Sequence, residues 1–319
     1  MRSKAIDILR GLGILTIIFI HVTSWYQFDP TARFIWNWGQ FAVPVFVFCS
    51  TYLFFVKKLD YQKDGFLNYT FKRLRRLLVP YYIFLAFYYL FFFIKDPRLI
   101  SGKEVFQTIT LTSPGQEINW AVLLFVYAFV VTLILLLSWK KSKAVFVILS
   151  LLSIAFSILF LNYKWPFNYK TIMWLPWSLM ILFSWVFAKF ESKKFFYPLV
   201  IFGTGGLFVV LYLMKVSTGQ SLTFFSNKYP PNLYYLSYGM LGTALVYWLS
   251  TKNVFRPFEK VINYLSLHSY NIFFIHLWLV VAFSQFMNIR QFAWWQFLLI
   301  ILTLTVSIQA AYSKFWPRS

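Results

Sequence analysis

The sequence predicts an all-α integral membrane protein, and three observations support this prediction. Hydrophobic residues make up 60% of the 319 residues, charged residues make up only 12%, and long apolar runs recur over the whole length. A run of about 18 to 20 apolar residues is long enough to cross a bilayer as a helix. A soluble protein of this composition would expose far too much apolar surface. We therefore expect a lipid bilayer to surround most of the chain.

About ten apolar segments are predicted to span the membrane. In chain order they lie near residues 8–26, 38–56, 77–94, 119–138, 144–162, 171–188, 195–214, 233–251, 264–286 and 292–312. The pair 144–162 and 171–188 has the weakest pattern of the ten, and only the short turn 163–170 joins its members. The first segment resembles a signal peptide, but no small-residue cleavage site follows it, so we expect it to be retained.

The distribution of charge predicts the topology of these segments. With the N-terminus in the cytoplasm, 21 of the 30 Lys and Arg residues fall on the cytoplasmic side and nine on the other side. This asymmetry follows the positive-inside rule and predicts that both termini are cytoplasmic. Topology and anionic lipid headgroups account for the formal net charge of +21, so no nucleic-acid partner is expected. We expect a single multi-pass domain over residues 1–319, without an appended soluble domain.

The first apolar segment carries two ionisable residues on one helical face. Arg10 and His21 are eleven positions apart, which on a helix of about 100° per residue leaves only about 20° between them. Ionisable groups are costly inside a bilayer, so they face a protein interior or a cavity and usually mark function. The alternative for His21 is a hydrogen bond that only joins two helices. The phasing with Arg10 makes us favour a functional role.

Further cations stand at the predicted start of the third span. Lys72, Arg73 and Arg76 precede it, and Pro80 is expected in its first helical turn. Arginine forks match phosphate oxygens, and the N-terminus of a helix adds N–H donors, so the group is a candidate phosphate site. The alternative is a topology signal that contacts lipid headgroups.

Other polar residues lie within the first and ninth spans. Asp7 is three positions before Arg10, so the two can form an ion pair that sets helix depth. The ninth span contains Tyr270 and Asn271, one to two turns from His276, as well as His268 nearer its start. Packing between helices is the expected role of His268, whereas packing and function stay equally open for His276.

Several motifs with known chemistry are absent from the sequence. It has no Walker loop, no HExxH motif, no Cys/His metal spacing and no Gly-x-Ser-x-Gly elbow, so no metal site is expected. The single cysteine, Cys49, is expected to pack in the second span. The glycines of residues 203–206 are expected to permit close helix packing.

Four stretches resemble the membrane acyltransferase-3 family, and the first two lie near the N-terminus. Residues 7–11 with His21 resemble the family's first-helix signature, an arginine and a histidine with ten residues between them. Residues 41–50, FAVPVFVFCS, resemble its second-helix VPxFFxxSG run, although Thr51 replaces the usual glycine.

The other two stretches extend the resemblance over about residues 5–280. Arg73 to Arg76 with Pro80 resembles the family's R-x-x-R-x-x-x-P stretch, and residues 266–276 resemble its SxxxYxxH segment. The family's plan of ten spans with both termini inside agrees with the charge distribution.

The resemblance implies transfer of an acyl group, commonly acetyl, from cytoplasmic acyl-CoA to a hydroxyl of an extracytoplasmic glycan or lipid-linked sugar. In this chemistry His21 is the expected general base, and burial would keep its ring neutral. The expected donor-binding cations are Arg10, Lys72, Arg73 and Arg76. The other candidates, for catalysis or substrate orientation, are His276, Asp7, Tyr270 and Asn271.

Other readings stay open at this point. A ten-span protein with a basic mouth can also be a transporter or flippase that exports a polysaccharide or lipid-linked sugar. The sequence shows neither an inverted repeat nor a matched pair of broken helices, and this counts against a transporter. A receptor or an inactive scaffold is a third reading. The richness in Phe, Ile and Lys is typical of an AT-rich bacterial genome, so we expect a bacterial cell membrane. Homo-oligomer formation is left open.

Overall fold

The computed structural model describes residues 3–56, 66–112 and 119–315, and their regular elements are helices. Inside lipid, a helix is favoured because it satisfies its own backbone N–H and C=O groups. The α-helices in chain order are α1 Lys4–Thr23, α2 Pro30–Trp38, α3 Ala42–Val56, α4 Phe66–Lys95, α5 Gly102–Ile109, α6 Asn119–Lys141, α7 Lys143–Leu159, α8 Trp174–Phe190, α9 Phe196–Ser217, α10 Leu233–Thr251, α11 Glu259–Phe286 and α12 Trp294–Phe315.

Seven helical stretches in the described part of the chain are long and apolar enough to cross a membrane. They are Lys4–Tyr26, Pro30–Val56, Asn68–Lys95, Asn119–Trp139, Phe196–Ser217, Arg256–Phe286 and Trp294–Lys314. The prediction of an all-α multi-pass membrane protein is therefore confirmed. Helices α7 and α8 are apolar but have only 17 residues each, and α10 is not among the seven. The number of ten spans and the cytoplasmic termini stay predictions.

The chain divides into two compact units. Unit 1 comprises Met1–Val43 and Val246–Ser319, and unit 2 comprises Pro44–Leu245. In unit 1, α1 packs along α11, and α12 packs against both of these helices. In unit 2, helices α6, α7 and α8 pack against one another. The expectation of a single domain over residues 1–319 stays a prediction.

The glycines of residues 203–206 are not the sites of closest helix approach. A Cβ atom at Gly203 or Gly206 would meet no atom within 4 Å, so the expectation of close packing is wrong for these two, whereas a Cβ at Gly205 would be in ordinary contact with the Leu241 side chain of α10 at 3.6 Å. A Cβ at Gly11 would instead collide with the carbonyl oxygen of Ile262 and lie 2.6 Å from its Cγ2 atom. The absence of a side chain at Gly11 therefore lets α1 approach the backbone of α11.

Candidate functional site

A hydrogen bond in unit 1 joins His21 of α1 to His276 of α11. His21 Nδ1 lies 2.8 Å from His276 Nε2, and His276 Nδ1 lies 2.9 Å from the carbonyl oxygen of Ile272. His276 is fully buried at 0% exposure, whereas His21 is only partly buried. Two candidates that are 255 positions apart thus form one pair, which we call the histidine pair.

The histidine pair lies beside an aromatic ring. The centroid of the Phe273 ring is 5.7 Å from that of His276 and 6.4 Å from that of His21. An apolar neighbour of this kind disfavours a charged imidazole. A neutral imidazole within reach of a hydroxyl group is a suitable general base, so the pair has the chemical means to accept a proton.

A second polar contact joins the same two helices nearer the N-terminus of α1. The hydroxyl of Ser266 donates a hydrogen bond of 3.1 Å to Oδ1 of Asp7, whose side chain is 5% exposed. Arg10 is partly buried on the next turn of α1. The predicted ion pair of Asp7 with Arg10 and the predicted role of Arg10 in donor binding stay predictions.

Tyr270 and Asn271 lie on a different side of α11 from His276. At about 100° per residue they are displaced by roughly 120° and 140° around the helix axis from His276. Both are partly buried, and the Tyr270 ring packs edge-on against Phe274 at a centroid distance of 5.0 Å. Their expected part in orienting substrate stays a prediction.

Arg73 in unit 2 is held by residues of two neighbouring helices. Its Nη2 atom donates to the carbonyl oxygen and the hydroxyl of Ser50 on α3, at 3.3 and 3.0 Å. Its guanidinium carbon lies 3.8 Å from the ring centroid of Phe54 and 5.7 Å from that of Phe129. Ser50 and Arg73 belong to the second and third motif stretches, so the structure brings these two stretches into contact.

The basic cluster lies inside a helix rather than before one, which corrects part of the sequence interpretation. Helix α4 begins at Phe66 in the described chain and contains Pro80 in its interior, so Pro80 is not in a first helical turn. The backbone N–H groups around Lys72 and Arg76 are therefore within the helix and lack the free donors of an N-terminus. Lys72 and Arg76 are exposed, in contrast to Arg73. The predicted contact of Lys72 and Arg76 with the phosphates of the donor therefore depends on their side chains, without help from backbone N–H groups.

The departure of Thr51 from the family pattern is accommodated within unit 2. The Thr51 hydroxyl donates to the carbonyl oxygen of Val47 at 2.8 Å and lies 2.7 Å from the hydroxyl of Ser184 on α8. All three groups are buried in the bundle. The side chain that replaces glycine therefore adds a polar contact between α3 and α8.

His268 has the packing role that the sequence favoured. Its Nδ1 atom lies 3.0 Å from Nε2 of Gln309, so that it joins α11 to α12. Two contributors were missed by sequence reasoning, namely Gln309 and the carbonyl group of Ile272. The carbonyl had a local signal, because a residue four positions before His276 on a helix faces its side chain. Gln309 had none.

Residues 3–56, 66–112 and 119–315 contain no preformed set of metal ligands. Those residues contain no cluster of three or more His, Cys, Asp or Glu side chains placed to hold an ion. The histidine pair supplies two nitrogens, and both nitrogens of His276 already have hydrogen-bond partners.

Comparison with known proteins identifies a family match. A family model, Acyl_transf_3, described as an acyltransferase domain, matches residues 3–312. Neither the curated proteins nor the solved structures give a significant match. The family match covers nearly the whole chain and includes all the motif stretches described above.

Proposed function

Because the chain belongs to the acyltransferase-3 family, we propose that it transfers an acyl group from acyl-CoA to a hydroxyl of an extracytoplasmic glycan or lipid-linked sugar. Acyltransferase activity in general follows from the family. The donor, the acceptor and the role of each residue are our proposal. Acetyl-CoA is the proposed donor, and we place the protein in the cell membrane of a bacterium.

The observation that supports this proposal most directly is the hydrogen bond between His21 and His276. Of the two rings, His21 is the one with partial exposure, so its ring is the one that a substrate hydroxyl can approach. A general base has to come within hydrogen-bond distance of the proton that it abstracts. We therefore assign the base to His21 and a supporting role to His276.

The proposed reaction is a single acyl transfer. The acceptor hydroxyl gives its proton to His21 while its oxygen attacks the thioester carbonyl carbon, and a new C–O bond forms. The C–S bond then breaks, and the leaving thiolate takes the proton back from the His21 imidazolium. The products are an ester and CoA with a free thiol, and His21 returns to its neutral form. Neither a metal ion nor a redox cofactor is needed for this balance.

Four cations are proposed to bind the phosphates of acyl-CoA at the cytoplasmic side, namely Arg10, Lys72, Arg73 and Arg76. The exposure of Lys72 and Arg76 supports a role in ligand contact, since exposed side chains can reorient toward phosphate oxygens. Arg73 also donates to Ser50, so we expect its loss to disturb the local structure as well as phosphate binding. Asp7, Tyr270 and Asn271 are retained as residues proposed to orient substrate.

The proposal is tested with purified protein in lipid nanodiscs. Acetyl-CoA labelled in the acetyl group is supplied with envelope glycan from cells that lack the protein, and acetylated glycan is measured by mass spectrometry alongside released CoA thiol. We expect transfer with the wild-type protein and a loss of about 10²-fold or more in His21→Ala. His268→Ala is the matched control, because His268 is a histidine of the same helical bundle whose contact joins α11 to α12.

Two results would contradict the proposal in different ways. Absence of acetyl transfer by a folded wild-type protein would contradict the donor or acceptor and would favour the export alternative. Transfer by His21→Ala at the wild-type rate would instead exclude His21 as the base.

A further inference from the structure

We propose that His276 is a positioning residue that holds His21 in one tautomer, with the proton on Nδ1 and the lone pair on Nε2. This inference rests on the proposed function for its consequence, but the tautomer itself is a property of the resting protein. It assigns the reacting atom of the base as His21 Nε2. In this proposal His276 does not touch the reacting groups and acts only through His21.

The contact with Ile272 determines which nitrogen of His276 carries a proton. A carbonyl oxygen only accepts hydrogen bonds, so the 2.9 Å contact with Ile272 requires that His276 Nδ1 carries a proton. This carbonyl can accept the side-chain bond as well as the helical backbone bond, because it has two lone pairs. Ile272 therefore fixes the donor end of the His276 ring.

The surroundings of His276 favour an uncharged ring. Its side chain is fully buried, and Phe273 packs beside it at 5.7 Å. An imidazolium at such a position has a large desolvation cost unless an anion compensates it. The acid of the neighbouring helix, Asp7, lies fourteen positions before His21, or about 21 Å along α1. His276 is thus neutral, and a neutral ring with a proton on Nδ1 has a lone pair on Nε2.

The lone pair on His276 Nε2 in turn determines which nitrogen of His21 carries a proton. Since His276 Nε2 is an acceptor, the 2.8 Å contact requires a proton on His21 Nδ1. The two ring planes lie within 12° of each other, and their centroids are 5.1 Å apart. A centroid separation of 5.1 Å is about the largest that an N···N distance of 2.8 Å allows. The rings therefore meet edge to edge, with the Nδ1–H of His21 aimed at the lone pair on His276 Nε2. In the neutral His21 ring, Nε2 is then the basic nitrogen.

The arrangement has a catalytic consequence under the proposed function. When His21 accepts a proton on Nε2, its Nδ1–H bond to His276 remains and becomes charge-assisted, which stabilises the imidazolium. In serine hydrolases a buried carboxylate performs this orienting task for a histidine. A neutral imidazole can do so in a membrane interior without adding a buried negative charge.

The direct test is the protonation pattern of the imidazole nitrogens. The chain has only three histidines, so ¹⁵N-histidine labelling of the protein in lipid bilayers gives three ring systems for solid-state NMR. His21→Gln and His268→Gln samples assign the signals. At neutral pH we expect His21 and His276 each to show a protonated Nδ1 and an unprotonated Nε2. A His21 ring protonated on Nε2 and not on Nδ1 would overturn the inference.

A pair of substitutions adds a functional readout. His276→Gln keeps an acceptor oxygen near the position of Nε2, whereas His276→Leu fills the space without an acceptor. We expect the Leu variant to lose the single tautomer of His21 and about 10²-fold or more in turnover, and the Gln variant to recover most of both. Equal turnover in the two variants, with both melting near the wild-type temperature, would also overturn the inference.

These results separate the inference from the proposed function. The NMR pattern of the wild-type protein needs neither activity nor a substituted chain, so it decides the tautomer even if a variant fails to fold. A correct tautomer without any acetyl transfer would overturn the proposed function and leave the tautomer assignment intact.

Discussion

The hydroxyl of Ser266 on α11 donates a hydrogen bond to the carboxylate of Asp7 on α1. Fourteen positions after Asp7, His21 forms a second hydrogen bond between these two helices, with His276. Along α1, these two polar contacts lie on either side of Gly11, which closely approaches Ile262 of α11. Helices α1 and α11 are thus joined by these two hydrogen bonds and by a close backbone contact. The geometry of the histidine pair depends on this packing.

Substitution of Gly11 by Ala is expected to lower the melting temperature and to reduce acyl transfer. The added methyl group would collide with the Ile262 carbonyl, so α1 has to move away from α11. Overpacking of this kind costs about 1 to 3 kcal/mol. The measurement is thermal unfolding followed by Trp fluorescence, with acetyl transfer on the same sample.

The matched control for Gly11→Ala is Gly203→Ala in α9. A Cβ at Gly203 meets nothing within 4 Å, and Ala favours a helix over Gly by about 1 kcal/mol. Gly203→Ala should therefore melt at or above the wild-type temperature. Equal destabilisation by both substitutions would contradict the packing role of Gly11.

The hydrogen bond between Ser266 and Asp7 is expected to appear as a coupling energy of about 1 kcal/mol or more in a double-mutant cycle. Ser266→Ala removes the donor, Asp7→Ala removes the acceptor, and each should destabilise the protein. Because both disrupt the same contact, the double substitution should cost less than the sum of the two. Strict additivity in unfolding measurements would show that the contact contributes nothing.

Arg73 and Arg76 are expected to differ in the kind of defect that their loss causes. Arg73→Ala removes the hydrogen bonds to Ser50 and the contact with the Phe54 ring, so it should lower the melting temperature. Arg76 is exposed, so Arg76→Ala should leave the melting temperature within a degree or two and raise the KM for acetyl-CoA. An unchanged KM in Arg76→Ala would remove Arg76 from the donor site.

Lys228, in the loop between α9 and α10, is expected to make stability depend on pH. Its side chain is 4% exposed, with Nζ at 4.8 Å from the ring centroid of Trp120 and 5.2 Å from that of Tyr229. Burial lowers the pKa of Lys228 to about 7, whereas an unfolded chain has a lysine pKa of about 10.4. Between these values the unfolded state binds more protons, so stability rises with pH.

The measurement compares melting temperatures of the wild type and Lys228→Met from about pH 6 to about pH 9. Above about pH 7 the wild type should gain stability relative to Lys228→Met, because the substituted chain lacks this proton linkage. Lys164→Met, at an exposed lysine outside the described helices, should keep the pH dependence of the wild type. Parallel curves for the wild type and Lys228→Met would contradict the assignment.

Local patterns of the sequence were sufficient for the helical class and for much of the candidate list. Apolar runs longer than a bilayer is thick can only be helices, which is why α1, α6 and α11 were expected close to where the structure has them. The start of α4 was missed, because its first turns are polar and basic and carry no apolar signal. As a result, the basic cluster was placed at a helix start when it lies inside a helix.

The sequence by itself determined that this protein is a helical membrane protein of the acyltransferase-3 family and that His21 is an ionisable group set into its first span. Hydropathy records only whether a segment prefers lipid to water, and this preference is the same whichever helix becomes the neighbour. The tertiary structure alone decided that His21 meets His276, that Arg73 meets Ser50, and that Gly11 is a point of close packing whereas Gly203 is not. Those choices depend on shape complementarity between helix faces that are distant in sequence, and no local pattern encodes them.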